Sequence, residues 1–229
     1  MITQKFHEPF SPAILETAVP EKFVDIVNGE FVDGSFFTKS KGRKKWDSSD
    51  KFNLVDFVLT ASGNGNRAFL FKTIKQGCLD YLNYMIEHKR NNPWTQMDGA
   101  GNVLTGMGNG TEPSLDNIYI TQSWVVSQYA GDFTPLHHHA PYIDNFSGVI
   151  YLKVPPGMND EWEEKGYPAN GLIEYAFGES QWFRSDNLKF KPEVGKFLIF
   201  PSWLKHLVYP FSVEGERRVL SFNAKMITK

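Results

Sequence analysis

The sequence predicts an α+β chain that is mainly β: a double-stranded β-helix (jelly roll) with N-terminal helices packed on one sheet. Three observations carry this expectation. Aromatic residues form 15% of the chain, with 19 Phe and 9 Tyr, and these residue types favour strands. From Asn117 onward, short runs of β-forming residues recur with turn residues between them, the pattern of a sandwich or jelly roll. Before that point the apolar spacing is helical. A length of 229 residues suits a single domain. It reads as a helical or irregular support region over 1–115 and a β-helix core over 116–229.

The elements follow in order. Pro20-Glu21-Lys22-Phe23-Val24-Asp25-Ile26-Val27 reads as a helix, because proline and acidic residues suit a first turn. The basic run from Lys39 to Lys45 reads as a solvated loop. Residues 67–90 form the longest predicted helix, with Ile74, Cys78, Leu82 and Met85 on one apolar stripe. Gly77 weakens that helix, and Asn91-Asn92-Pro93 ends it. Cys78 on the stripe reads as a buried small hydrophobe rather than a nucleophile. The glycine-rich stretch from Gly99 to Gly110 lacks the Lys-Ser/Thr ending of a phosphate loop and reads as a mobile loop or lid. Strands are expected at 118–129, 148–154, 172–177, 196–200, 207–209 and 218–222. The insertion from Gly157 to Asn170 carries Glu161, Trp162, Glu163, Glu164 and Lys165. It reads as a solvated acidic loop; as a substrate lid it would favour a basic or polypeptide partner.

Composition excludes several classes. A net charge of −2 argues against a nucleic-acid partner. The single cysteine precludes an internal disulfide and fits a reducing compartment. The N-terminus has no apolar signal region and no run is long enough to span a bilayer, so a cytoplasmic protein with no membrane partner is expected. The sequons at Asn109 and Asn145 then carry no meaning. The aromatic excess is compatible with a homodimer without indicating one.

The chemistry lies in the histidines. Of six in the chain, four fall in Leu136-His137-His138-His139-Ala140 and Phe200-Pro201-Ser202-Trp203-Leu204-Lys205-His206. Residues two apart on a strand share a face, so His137 and His139 point one way and His138 the other. With His206 from a distant strand, they can enclose three sides of a metal ion and leave open positions for substrate and oxygen.

Residues around the histidines extend the pattern. Tyr129-Ala130-Gly131-Asp132-Phe133 leads into the triplet, followed by Phe146-Ser147-Gly148-Val149-Ile150-Tyr151-Leu152. The segment from Pro192 to Pro210 contains His206, and Gly215-Glu216-Arg217-Arg218-Val219-Leu220-Ser221-Phe222-Asn223 closes the series. In this order, over about 120–226, the pieces resemble the iron(II)- and 2-oxoglutarate-dependent oxygenase superfamily, in particular its small prolyl-hydroxylase-like branch. Residues 1–115 take no part in the resemblance. It implies that His137 and His206 are the first and distal metal ligands. It also implies that Arg217, eleven residues beyond His206, pairs with the distal carboxylate of 2-oxoglutarate. A guanidinium suits that role because its planar fork makes two charge-assisted bonds to a carboxylate. Arg218 is the neighbouring candidate on the opposite face. Ser221 and Asn223 share the face of Arg217, and Tyr129 is a further candidate cosubstrate contact.

The chain departs from the superfamily where an Asp or Glu normally follows the first ligand by two positions; here that residue is His139. Three readings stand: His139 completes an all-nitrogen site, Asp144 folds back to supply a carboxylate, or water or an anion fills the position. The resemblance implies Fe(II), 2-oxoglutarate as cosubstrate and O2. The expected function is a dioxygenase that hydroxylates a peptidyl proline, an amino acid or another small molecule, with release of succinate and CO2. The alternatives are a cupin-like three-histidine metalloenzyme without 2-oxoglutarate and a non-enzymatic jelly-roll module.

Overall fold

The computed structural model describes residues 4–7, 12–32, 49–50, 64–90, 113–139, 144–160, 170–179, 182 and 185–227. The basic run, the Gly99–Gly110 loop and residues 161–169 of the insertion lie outside this set. Two helices are described, α1 (Glu21–Val32) and α2 (Asn64–Arg90). The first three strands are β1 (Lys5–His7), β2 (Ile14–Ala18) and β3 (Ser49–Asp50). Eight more follow: β4 (Ile118–Gln128), β5 (Thr134–His137), β6 (Phe146–Lys153), β7 (Ile173–Ala176), β8 (Asn187–Phe190), β9 (Lys196–Pro201), β10 (Lys205–Val208) and β11 (Arg217–Met226).

The strands form two antiparallel sheets, ordered β1-β2-β9-β6-β11-β4-β3 and β5-β10-β7-β8. The last eight strands are thus split evenly between the sheets, four in each, as a double-stranded β-helix requires. The N-terminal region adds strands as well as helices. Ile14–Ala18 pairs with β9, and its five residues were too short to show a period in the sequence. Among the described residues, no helix is long and apolar enough to cross a membrane.

Two apolar layers explain why the central strands are buried on both faces. On β6, Phe146, Ile150 and Leu152 face the helices, whereas Val149 and Tyr151 face the small sheet. On β11, Leu220, Phe222 and Ala224 likewise belong to the helix-side core, and Val219 to the core between the sheets. This period of two sends Arg217, Ser221 and Asn223 to the inner side and Arg218 to the outer.

The helix-side core also takes Phe23, Val27, Leu70, Ile74, Cys78 and Leu82 from α1 and α2, so the predicted stripe covers the large sheet. Cys78 is fully buried there, and burial pushes its thiol above the ordinary range, as befits a packing residue. Arg218 sits on this outer side in a fork-to-fork pair with Glu216, at 2.8 Å for both Nε–Oε1 and Nη2–Oε2. Its Nη1 donates to Asn28 of α1 at 3.0 Å, which ties the helix to the sheet. Burial alone would raise the Glu216 pKa, but hydrogen bonds from Arg218 and Ser127 outweigh it and hold the carboxyl low.

Gly77 has a packing reason. A Cβ there would meet Phe197 at 2.6 Å and Ile199 at 2.9 Å on β9. Phe197 is buried against Phe222, so the ring must shift within a packed core to admit a methyl group. Alanine gains about 1 kcal/mol in helix propensity over glycine, but overpacking a core costs about 1–3 kcal/mol. Gly77→Ala is therefore expected to lower the urea midpoint of unfolding; a raised midpoint would show that α2 and β9 are less closely packed.

Candidate metal centre

The register of the small sheet builds the site. His206 on β10 lies directly opposite His137 on β5, and opposite Tyr175 on β7 on its other side. Two positions on, Val208 pairs with Thr134 rather than Pro135, so β5 carries one extra residue. A bulge of this kind re-aims side chains, and Pro135 is a residue tolerated there because it has no N–H for the ladder. As a result Thr134 and His137, three apart, both line the same cavity. His139 follows the strand and is anchored by its backbone N–H to Ser202 O at 2.9 Å.

His137, His139 and His206 come together. Each offers one ring nitrogen, and these nitrogens lie within 4.8 Å of one another. Ring centroids are 4.3 Å apart for His137 and His206, 5.1 Å for His139 and His206, and 5.4 Å for His137 and His139. Hydrogen bonds fix which nitrogen is free. His137 Nδ1 is 2.8 Å from Pro135 O and His206 Nδ1 is 3.0 Å from Leu204 O. A carbonyl only accepts, so both rings carry their proton on Nδ1. His139 Nδ1 is 2.5 Å from Asn223 Oδ1 and 2.9 Å from Ser147 Oγ. Asn223 Nδ2 donates to Gln122 Oε1 at 3.3 Å and Ser147 Oγ donates to Asn223 Oδ1 at 2.7 Å, so the oxygen of the amide faces His139. All three rings thus keep an unprotonated Nε2, the form that binds a metal. The donor chemistry fits a divalent ion held on one face.

Burial disfavours protonation of two of these rings. His206 falls to about 3 and His139 to about 4, in each case mainly by desolvation. For His206 the neighbouring His137 and His139 add to the effect; for His139 the bond to Asn223 partly opposes it.

The cavity has a volume of about 230 Å³ and extends from the histidines to Arg217. Val149, Ile173, Val208 and Val219 form its apolar wall, and Ser221 adds a hydroxyl. Arg217 is 2% exposed, yet no carboxylate pairs with it among the described residues. Its Nε donates to Gly171 O at 3.2 Å, Nη1 to Gln128 Oε1 at 2.7 Å and Nη2 to Tyr151 OH at 3.3 Å. Its guanidinium lies 5.0 Å from the Tyr151 ring centroid. A guanidinium has five N–H groups, so one on each Nη remains unspent. The Tyr175 hydroxyl, which interacts electrostatically with Tyr151 and Arg217, is buried without a hydrogen-bond partner among the described residues. A buried cation and an orphaned hydroxyl fit an anionic cosubstrate.

The other predicted positions divide. Tyr129 is 39% exposed and does not line the cavity, because the strand's alternation turns Gln128 inward and Tyr129 lies just beyond its end. Asn223 reaches His139 rather than the cavity lining. Asp144 lies outside the histidine cluster: its Oδ1 accepts from Thr121 Oγ1 at 2.5 Å, and its carbonyl accepts from Ser202. Gln128, Thr134, Tyr151 and Tyr175 escaped the sequence reading.

Residues 122–223 match the family model described as "Putative 2OG-Fe(II) oxygenase". This segment is thus similar to the 2OG-Fe(II) oxygenase family. Members of the family that this segment resembles are enzymes that use Fe(II), 2-oxoglutarate and O2. No curated protein matches the chain. Among solved structures, a non-heme alpha ketoglutarate dependent epimerase from nogalamycin biosynthesis is 10% identical with a TM-score of 0.55, over 94% of this chain and 79% of that one. A viral collagen prolyl hydroxylase from Paramecium Bursaria Chlorella virus-1, in its 2OG complex, is 10% identical with a TM-score of 0.50, over 94% and 96%. A 2OG-Fe(II) oxygenase family oxidoreductase from Burkholderia pseudomallei is 17% identical with a TM-score of 0.37, over 51% of this chain. The chain spans about half of that protein, 47% of its length. At these identities the likeness is one of fold.

Two outcomes follow. A residue that hydrogen-bonds the far nitrogen of a metal-binding histidine is worth about 10–100-fold in metal affinity. Asn223→Leu should therefore weaken Fe(II) or Zn(II) binding by roughly that factor in a chelator competition, and unchanged affinity would contradict the role given to Asn223. The second concerns pH. Free histidine titrates near 6.5, but His139 and His206 titrate near 4 and 3 in the folded chain. The unfolded state then binds more protons in this range, so stability of the metal-free protein falls as pH drops below about 6.5 and continues to fall towards 3. Urea midpoints across pH 7 to 4.5 check this, and His206→Gln should flatten the slope.

Proposed function

We propose that the protein is an Fe(II)- and 2-oxoglutarate-dependent dioxygenase that hydroxylates its substrate, with His137, His139 and His206 as the metal ligands and Arg217 as the anchor for 2-oxoglutarate. One observation supports this above the others. Three neutral imidazole donors and a buried arginine without a carboxylate partner face the same small cavity. Iron held by the three histidines would supply, with 2-oxoglutarate and O2, the oxidising chemistry that releases succinate and CO2. The chain's own residues position the reactants. The carbonyls of Pro135 and Leu204, with Asn223 and Ser147, aim the three Nε2 lone pairs. The unspent N–H groups of Arg217 suit the two oxygens of a carboxylate. Val149, Ile173, Val208 and Val219 keep water from the space between.

The donor set leaves the charge of a divalent ion uncompensated, whereas a carboxylate ligand would cancel one unit. That favours a dianionic cosubstrate. The substrate itself is a peptide or a small molecule, a reading supported by structural neighbours that include a viral collagen prolyl hydroxylase and an epimerase from nogalamycin biosynthesis.

The test is an anaerobic titration of the purified protein with Fe(II) and then 2-oxoglutarate. A visible metal-to-ligand charge-transfer band is expected. Iron binding without the band would favour a three-histidine metalloenzyme of the cupin kind, and no iron binding would remove the catalytic reading. In the same assay, Arg217→Met should weaken 2-oxoglutarate binding by about 100-fold, the loss of a bidentate charge-assisted pair, with metal affinity retained.

A further inference from the structure

We infer that Gln122 and Lys225 form a carboxylate-binding rim at the open end of the cavity, beside His139, and that the substrate is a carboxylate-bearing small molecule or a peptide C-terminus. The inference rests on the proposed dioxygenase reading and deepens it by naming the substrate class. The rim is separate from Arg217, which opens β11, whereas Lys225 stands next to the end of that strand.

The strand period places both residues. On β11, Leu220, Phe222, Ala224 and Met226 belong to the helix-side core, so Lys225 leaves on the inner side, as Ser221 and Asn223 do. On β4, Trp124, Val126 and Gln128 line the cavity, and Gln122 continues that face beyond Trp124. Asn223 lies directly opposite Gln122 and Lys225 opposite Tyr119, with Thr121 as the extra residue between them on β4. Gln122 and Tyr119 are exposed and Lys225 is partly buried, which marks this as the open end. Diagonal neighbours on paired strands are about 7–8 Å apart, a span that long side chains cover. The Gln122 amide and the Lys225 ammonium can therefore converge on one group.

Donor chemistry decides what that group is. Asn223 turns its oxygen to His139, so its Nδ2 faces Gln122 and donates to Oε1 at 3.3 Å. The Gln122 amide thus has one orientation, and its Nε2, which only donates, is directed away from Asn223. That nitrogen makes no hydrogen bond among the described residues. Lys225 has no hydrogen bond or ion pair among them either; the Asp144 carboxylate accepts from Thr121, beside Gln122, and does not pair with Lys225. An outward amide nitrogen next to an unpaired ammonium suits a carboxylate and disfavours a cation. Trp124, two residues from Gln122 on the same face, holds its ring 5.4 Å from that of His139 and offers apolar surface to the carbon skeleton.

The test uses the full chain with Fe(II), 2-oxoglutarate and O2. The probes are the N-acetyl derivatives of the neutral and basic amino acids and the matching N-acetyl amino acid amides, assayed singly for succinate release above the substrate-free rate. Acids should stimulate release, each with a KM about tenfold below that of its amide, the value of one charge-assisted contact. Lys225→Met should raise the KM of the acid about tenfold with kcat retained and leave the amide unchanged, and Lys225→Arg should restore the difference. Gln122→Leu should raise the KM of the acid in the same way. Equal KM values for acid and amide, an acid KM that Lys225→Met leaves unchanged, or no stimulation by any acid would overturn the inference. The charge-transfer band of the wild type with Fe(II) and 2-oxoglutarate would then show that the dioxygenase reading stands, and its absence would overturn both.

Discussion

The hydrogen bonds to the Nδ1 atoms of three histidines are the constraint on which the site depends. Each ring meets an acceptor that leaves Nε2 as the free nitrogen: Pro135 O, Leu204 O and the Asn223 side chain. The partners come from different parts of the fold. Pro135 belongs to the bulge of β5, Leu204 to the turn entering β10, and Asn223 to the inner face of β11 in the opposite sheet. The two sheets must therefore close for the donor set to form. Burial of His206, against Phe200 at 4.9 Å and Tyr175 at 5.8 Å between ring centroids, adds a desolvated environment in which a neutral ring is strongly preferred.

The adjacent arginines Arg217 and Arg218 show how one strand serves two purposes. Both are buried, and their side chains leave β11 on opposite faces. Arg218 is neutralised by Glu216 and joined to α1, which makes it a structural tie across the outer face. Among the described residues Arg217 has only neutral partners, Gly171 O, Gln128 and Tyr151. Keeping a bare cation inside a protein is unfavourable unless a charge arrives to meet it. The contrast separates support from function without recourse to sequence spacing.

Much of this was legible in the sequence because strand chemistry is local. The alternation of His137 with His139, and of Arg217 with Ser221 and Asn223, follows from a period of two, and the structure keeps those faces. The helix stripe through Ile74, Cys78 and Leu82 was visible for the same reason with a longer period. What escaped depends on register. The bulge that turns Thr134 inward exists only in the pairing of β5 with β10, and no property of Thr134-Pro135-Leu136 alone announces it. Tyr129 looked like a cosubstrate contact from its place before the turn, but the end of β4 falls one residue earlier and Gln128 takes the inner face. Asn223 had the right face and a different task, because the distance across the barrel to His139 is not a sequence property.

The most direct test of the account is nitrogen-15 NMR of the histidine rings in the Zn(II)-loaded protein. The account predicts three rings bound through Nε2, with a slowly exchanging proton on Nδ1 of His137, His139 and His206. Two metal-bound rings with His139 free would contradict it and would return the third position to Asp144 or to an exogenous ligand.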